Sequence, residues 1–257
     1  MPGVELDWQN GDGVPLLVAR TPGARIAFTT RRGGVSGGSF ASLNLGFATP
    51  DDPERVAENR RRALAAAGAD AGRTVSLRQR HGNAVVEAGP ASPDGYLDAA
   101  TTWPEGDALV TAEPGLPLIA HGADCLTAAL VGHGAECLAV VHAGWRGLAA
   151  GVLEAAAERV GPGFTAVVGP GAGACCYAVG EDVARQLRGR FGDDVVAEGR
   201  ADLAACARRA LERAGAAEVA VAGLCTICDR ERFHSHRRDG AGSGRQAVIA
   251  YLEGGTA

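Results

Sequence analysis

The chain has 257 residues, of which 46% are hydrophobic and 21% charged, a composition typical of a globular protein with a substantial core. It carries 25 lysine and arginine residues against 30 aspartate and glutamate residues, a net charge of -5. There is no long basic run and no apolar stretch near the ~20 residues that a membrane helix needs, so nucleic acid and membranes are excluded as expected partners.

Apolar runs of the β type predict strands along the whole chain. They cover residues 24 to 30, 74 to 77, 84 to 87, 108 to 111, 116 to 121, 137 to 142, 166 to 168, 218 to 224 and 247 to 252.

Four segments between these strands have apolar residues at helical spacing. The first begins with a favourable N-cap, Asp52, followed by Pro53 at the first helical position. The others run from Leu148 to Val160, from Val183 to Phe191 and from Leu203 to Leu211. Because the helices interrupt the strands irregularly, we predict an α+β fold with a mixed sheet rather than a doubly wound parallel one. No serine- or proline-rich linker divides the chain, so we predict a single domain over residues 1 to 257.

The N-terminus, MPGVELDWQNGDG, has neither a basic leader nor an apolar segment, and we expect a cytoplasmic protein. In a reducing compartment, the odd count of seven cysteines favours free thiols or metal ligands over disulfides. Cys225 and Cys228 form a CTIC pair, but a second CxxC is absent, which disfavours a redox motif or a structural zinc site. Cys137 and Cys206 fall on apolar faces and are expected in the core.

Three segments deliver a histidine or cysteine at the end of an apolar run: RQRHGNAVV with His81, LIAHGADCLTAAL with Cys125 and VVHAGWRG with His142. Imidazole and thiolate are ligands that zinc prefers, and three protein ligands leave the fourth tetrahedral position open, as in catalytic zinc sites. A water bound there has its pKa lowered to ~7. Two alternatives remain: each residue is an unrelated core or surface residue, or Cys125 is a nucleophile activated by either histidine.

Neighbouring polar residues are candidates for supporting roles. Asp107 or Asp124 is placed to orient a ligand imidazole, or else is a turn carboxylate. His121 precedes Cys125 by four residues, roughly 13 Å along an extended strand, and is not expected to share its metal. The glycine-rich loop at 169 to 173 has amides suited to an anion, or else forms a tight turn between strand and helix.

The sequence HSHRR, at 234 to 238, contains the chain's one His-x-His pair among six histidines. A multicopper oxidase needs several such pairs together with a blue-copper ligand set. The histidine count therefore disfavours copper as the cofactor, and zinc is the expected one.

The sequence resembles the YfiH-like, laccase-domain family, whose members are described as peptidoglycan editing factors and purine nucleoside phosphorylases. The motifs that carry the resemblance span nearly the whole chain: RRGGVSGGSFASLNLG at 31 to 46, RQRHG at 78 to 82, GDALVT at 106 to 111, ADC at 123 to 125, VVHAGWRG at 140 to 147, GPGAGACCYAVG at 169 to 180 and LCTICDRERFHSHRRDGAGSGRQ at 224 to 246. The chain departs from the family pattern at Thr127, where a proline is usual, and at His234, where a phenylalanine is usual.

The resemblance implies a mixed β-sandwich flanked by helices, with zinc bound by the catalytic residues His81, Cys125 and His142. It implies phosphorolysis of adenosine, inosine, guanosine or methylthioadenosine with phosphate as co-substrate, and in some members adenosine deamination.

Substrate contacts and alternatives follow from the same resemblance. For phosphorolysis we expect Asn44 to contact the sugar or base, and expect the phosphate to meet a set of anion donors: Arg146, Gly169 and Gly171. One alternative is a peptidoglycan-precursor editing hydrolase, dependent on zinc or on Cys125, that acts on misloaded muramyl species. Another is a non-enzymatic interaction protein with a structural zinc.

Overall fold

The computed structural model describes residues 4 to 254. The strands in this range are β1 (Leu6–Gly11), β2 (Val14–Thr21), β3 (Ala24–Thr29), β4 (Val85–Glu87), β5 (Ala108–Thr111), β6 (Leu118–Gly122), β7 (Leu126–Val131), β8 (Leu138–Ala143), β9 (Thr165–Val168), β10 (Val196–Ala197), β11 (Arg200–Ala201), β12 (Glu218–Val221) and β13 (Gln246–Leu252). The α-helices are α1 (Pro53–Ala67), α2 (Trp145–Ala150), α3 (Val152–Val160), α4 (Glu181–Phe191), α5 (Leu203–Arg213) and α6 (His236–Asp239).

Two sheets form the centre of the protein. The first has the order β1-β2-β3-β13-β6, with antiparallel neighbours throughout. The second has the order β12-β9-β7-β8-β5-β4 and is mixed, because β12 is parallel to β9 and β4 is parallel to β5. A small hairpin pairs β10 with β11.

The inner faces of the two sheets pack together as a sandwich. Phe28 and Leu118 of the first sheet belong to the same buried cluster as Leu109, Val140 and Val167 of the second. Alternation along each strand sends the remaining side chains outward, where helices bury them. Helix α1 covers the first sheet, and helices α2 to α5 cover the second.

This architecture confirms the predicted α+β fold with a mixed sandwich flanked by helices. The start of α1 agrees in detail: the Asp52 side chain accepts a hydrogen bond from the Glu54 amide at 2.9 Å, and Pro53 is the first helical residue. Within the described residues, no helix is both long enough and apolar enough to cross a membrane.

Several predicted elements differ from the structure. Residues 74 to 77 form no strand and contribute one isolated bridge, from Val75 to Leu118 of β6, because only the Val75 backbone bonds to this edge strand of the first sheet. The predicted helix from Leu148 to Val160 is two helices, α2 and α3, separated at Gly151, whose φ of 85° is left-handed. Strands β1, β2, β7, β10 and β11 were not predicted from the sequence. All six residues of β7 are buried, so it shows no alternation.

Candidate metal centre and adjoining cleft

The predicted trio of His81, Cys125 and His142 converges in space. Their ligand atoms all lie within 4.8 Å of one another, although the residues are far apart in sequence. Cys125 lies in the turn that joins β6 of the first sheet to β7 of the second. Because β7 pairs antiparallel with β8, this turn lies beside His142 near the end of β8. His81 reaches the same point from the loop that precedes β4.

Asp107 fixes both histidines. Its fully buried carboxylate accepts a hydrogen bond from Nδ1 of His142 at 2.9 Å. It also accepts hydrogen bonds from the backbone amides of His81, at 2.8 Å, and Gly82, at 2.7 Å. Because Asp107 occupies Nδ1, Nε2 of His142 is the nitrogen left to face a ligand, and the tautomer and ring orientation are set.

Backbone conformation also brings the trio together. His81 has a φ of 61° and Asp124 a φ of 91°, both left-handed and uncommon for residues with a side chain. A Cβ on Gly144 would lie 2.6 Å from the Cys125 Sγ atom, so only glycine leaves room for the thiol. Strained or restricted backbone of this kind is concentrated at functional sites.

The electrostatics favour an ionised thiol. Burial raises the pKa of Cys125, but hydrogen bonds from His142 and His81 lower it more, to about 6. Burial lowers the pKa of His142, but Asp107 and Cys125 raise it to about 9. The thiolate is the form of cysteine that binds metals and acts as a nucleophile. One sulfur and two imidazoles, with Asp107 behind one of them, match the donor set of a zinc site with an open fourth position.

The trio lies in the wall of a cleft of about 820 Å³. This volume is within the range of small-molecule binding sites. The cleft lining includes aromatic, cationic and amide side chains besides the trio: Phe47, Trp103, Arg60, Arg78, Arg245, Gln79, His121 and His236.

One side of this cleft is held by a buried arginine that the sequence analysis did not single out. Arg60 of α1 donates hydrogen bonds to the carbonyls of Leu45 and Tyr96, at 2.8 and 2.5 Å. Its guanidinium lies 4.0 Å from the centre of the Phe47 ring and 4.1 Å from that of Tyr96. The sequence offered no signal beyond an arginine on the apolar face of α1.

His121 lies in the same cleft, but its ring is directed to a different partner. Its Nε2 is 3.0 Å from the Tyr96 hydroxyl. Burial, aided by the charge of Arg60, lowers the pKa of His121 well below its usual value, so its imidazole is neutral. It therefore belongs to the cleft wall, in agreement with the expectation that it does not join the metal ligands.

The structure places the four predicted substrate-contact residues outside the cleft lining. Asn44 is fully buried, where its side-chain amide donates to Thr49 and Asp51 at 2.8 and 2.9 Å. Arg146 is exposed and lies 4.6 Å from the Trp145 ring.

The glycine-rich loop is engaged internally. The amides of Gly169 and Gly171 donate to the carbonyls of Thr127 and Leu224. A Cβ on Gly169 would lie 2.3 Å from the Phe28 ring, so this glycine permits close packing. Both amides are therefore engaged in backbone hydrogen bonds of the protein itself.

The loop also brings together cysteines that sequence spacing did not connect. The sulfur atoms of Cys175, Cys176, Cys225 and Cys228 lie within 4.8 Å of one another. The adjacent cysteines 175 and 176 replace the second CxxC that the sequence lacks. The two cysteine pairs come together because β9 and β12 are neighbouring strands, which the sequence does not show.

The fold and the site together define the class of protein. It is an α+β sandwich with a candidate metal centre, formed by two histidines and a cysteine, in the wall of an open cleft. The chain belongs to the family described as "Multi-copper polyphenol oxidoreductase laccase", which it matches over residues 25–253.

Relatives and solved structures are similar over almost the full length. A purine nucleoside phosphorylase of Deinococcus radiodurans is 42% identical, covering 93% of this chain and 94% of that protein. Another, of Pseudomonas aeruginosa, is 38% identical over 89% and 93% of the two chains. The crystal structure of YlmD from Geobacillus stearothermophilus has a TM-score of 0.86 at 32% identity, covering 96% of this chain and 98% of that one. The hypothetical protein YfiH of Bacillus licheniformis has a TM-score of 0.87 at 28% identity, covering 96% and 99%.

Proposed function

We propose that the protein is a zinc-dependent purine nucleoside phosphorylase whose reaction takes place in the cleft beside His81, Cys125 and His142. The observation that carries the proposal is the convergence of these three donors at the cleft wall, within 4.8 Å of one another. The relatives from Deinococcus radiodurans and Pseudomonas aeruginosa support the reaction class, since both are named purine nucleoside phosphorylases and match nearly the whole chain.

Zinc fits these residues better than copper does. Two imidazoles and a thiolate with a lowered pKa form a zinc donor set, and His142 is oriented by Asp107 in the manner of zinc-bound histidines. The chain's six histidines cannot supply the ligands of a multicopper cluster. When bound, zinc supplies a positively charged Lewis acid on the cleft wall.

The chain's own residues give the cleft the features that a nucleoside and phosphate require. Phe47 and Trp103 offer aromatic surface against which a purine packs. Arg78 and Arg245 bring positive charge to the same cavity for the phosphate, with Arg245 anchored to the carbonyls of Ser243 and Gly244. Gln79 is held by two hydrogen bonds with the His121 backbone, so it stiffens the wall.

In the reaction, a phosphate oxygen forms a bond to C1' of the ribose while the bond between C1' and the purine nitrogen breaks. The base leaves with the bonding electrons and takes up a proton, giving free purine and ribose 1-phosphate. The arginines neutralise the entering anion. We propose adenosine, inosine, guanosine and methylthioadenosine as the substrates to compare.

Adenosine deamination is a second activity that we propose for the same site. An open position on zinc suits hydrolytic attack at C6 of adenine, which needs no phosphate. Release of inosine from adenosine in phosphate-free buffer distinguishes this activity from phosphorolysis.

The experiment combines metal content with a substrate panel. We expect zinc in the purified protein and phosphate-dependent release of hypoxanthine from inosine. The zinc of the cleft and the phosphate-dependent release are expected to be lost together in Cys125→Ala and retained in Cys137→Ala, a control cysteine outside the cleft. A protein without zinc at this site and without phosphate-dependent release contradicts the proposal.

The same panel tests the alternative enzyme. The lowered pKa of Cys125 favours a thiolate nucleophile for a hydrolase acting on misloaded muramyl peptides, so these compounds are included. Turnover of muramyl peptides by the metal-free protein would favour that alternative. Retention of zinc with no turnover of any compound would favour a structural zinc in an interaction protein.

A further inference from the structure

Four cysteines in the segments that follow strands β9 and β12 form a cluster with the composition of a metal site. We propose that Cys175, Cys176, Cys225 and Cys228 bind a second ion, a single zinc held by four thiolates, which clamps two loops together. This cluster is distinct from the centre in the cleft, since none of the four residues lines that cleft.

The distances fit one ion. A zinc–sulfur bond of about 2.3 Å allows two sulfurs on the same ion to be at most about 4.6 Å apart, and about 3.8 Å in a regular tetrahedron. All four sulfurs lie within 4.8 Å of one another, and Cys228 Sγ is 3.3 Å from that of Cys175 and 2.9 Å from that of Cys176. Small rotamer changes are enough to reach tetrahedral geometry, whereas a cluster of several irons needs sulfurs that are further apart.

The fold prepares this geometry. Strands β9 and β12 are parallel neighbours, so the segments that follow them leave the same edge of the sheet. The pairing continues beyond the strands, where the Gly171 amide donates to the Leu224 carbonyl and the Thr226 amide donates to the Gly171 carbonyl. This bridge aligns the pair of adjacent cysteines in one segment with the CTIC pair in the other.

A backbone amide supports the ionised thiol. The Gly173 N–H group donates to Cys225 Sγ at 3.3 Å. Hydrogen bonds of this kind orient the ligand and stabilise its negative charge in thiolate metal sites. Each thiol that joins the ion releases its proton to solvent, so the four sulfurs and Zn²⁺ together carry a charge of two minus.

The clamped loops support the cleft centre through Asp124. The Thr226 hydroxyl donates to the Asp124 carboxylate at 2.7 Å, and the Arg237 amide donates to the same carboxylate at 2.5 Å. The Ala172 amide donates to the Asp124 carbonyl at 2.8 Å. Asp124 precedes Cys125, so fixing the two loops fixes the left-handed turn that presents this thiol. Asp124 is therefore a positioning residue, and it does not contact the ligand imidazoles.

Solvent access makes the proposal testable on the wild-type protein. Cys175 and Cys228 are exposed, and Cys176 and Cys225 are partly so, which means that iodoacetamide can reach free thiols at these positions. We expect all four to resist alkylation, as mapped by peptide mass spectrometry, until a strong chelator removes the zinc. Rapid alkylation before chelation, or recovery of disulfide-linked peptides from a freshly reduced sample, overturns the proposal.

Metal counting separates the two centres. We expect two zinc ions per wild-type chain, one in the Cys225→Ser/Cys228→Ser variant and one in Cys125→Ala. The matched control Cys137→Ser, outside both clusters, keeps both ions. The zinc of the cysteine cluster is counted separately from the zinc of the cleft. Its count therefore does not depend on phosphorylase activity or on whether the cleft binds zinc. Iron in place of zinc, or no change in metal content in the double variant, refutes the assignment.

Cobalt substitution covers the case in which the double variant fails to fold. Cobalt bound to the wild-type protein gives sulfur-to-metal charge-transfer absorption whose intensity rises with the number of thiolate ligands. In Cys125→Ala, which lacks the thiolate of the cleft, we expect the strong absorption of a four-thiolate site to persist. Weak absorption typical of one thiolate, or none, contradicts a four-cysteine site.

Discussion

His234 is the buried titratable residue whose effect on stability can be worked out most directly. Its ring is fully buried, and neither nitrogen has a hydrogen-bond partner among the described residues. Burial, together with the charges of Arg31 and Arg245, lowers its pKa from 6.5 to about 3. The substitution His234→Phe removes the titrating group while retaining an aromatic ring.

The sign and size of the effect follow from linkage between protonation and folding. The folded-state pKa is depressed, so between pH 6.5 and pH 3 the unfolded chain binds a proton that the folded protein does not. The stabilisation present above pH 6.5 is therefore lost as the pH falls. The loss amounts to about 2 kcal/mol at pH 5 and about 4 kcal/mol at pH 3.

At neutral pH two further effects oppose each other. Removing two unpaired buried nitrogens stabilises the variant by about 1–3 kcal/mol. The larger ring must fit beside Gly244, where a Cβ would lie only 2.6 Å from the His234 ring, and overpacking costs about 1–3 kcal/mol. We therefore expect little change in stability at pH 8 and a variant more stable than wild type by about 2 kcal/mol at pH 5.

Urea unfolding at pH 8 and pH 5 measures this difference. Groups that lie away from His234, including those of both candidate metal centres, titrate alike in the two proteins, so their contributions cancel in the comparison. His133→Gln, at an exposed histidine, is the control and should keep the wild-type pH dependence. Equal losses of stability in wild type and His234→Phe between pH 8 and pH 5 would refute the reasoning.

Three other substitutions test the cleft and its centre. Asp107→Asn removes an oxygen that accepts from both histidine segments, and we expect zinc affinity at the cleft centre, measured by chelator competition, to fall about 10–100-fold. The exposed Glu105→Gln is its control, and equal affinities for the two variants would contradict the role. Gly144→Ala places a methyl group 2.6 Å from Cys125 Sγ, and a similar fall in affinity is expected with all three ligands retained. Arg60→Lys cannot hold both loop carbonyls and both rings, so we expect urea unfolding to report a loss of about 2–3 kcal/mol; an unchanged midpoint would exclude that role.

Local chemistry was enough to predict much of this protein from its sequence. The cap of α1 and the apolar faces of α4 and α5 depend on spacing within a few residues, and the structure contains them. The donor chemistry of His81, Cys125 and His142 was also evident, because histidine or cysteine ending an apolar run is unusual. Their convergence in space could not be established from the sequence, since the residues come from three separate segments.

Tertiary structure alone decided which distant segments meet. The sheet order puts β9 beside β12, and this adjacency brings cysteines 175 and 176 to the CTIC pair. Tertiary packing also makes Arg60 part of the cleft wall. It buries Asn44 in a hydrogen-bonded loop instead of exposing it to substrate. Sequence periodicity reports which face of an element is buried but not which element covers it, because partner choice depends on strand order and on packing over the whole core.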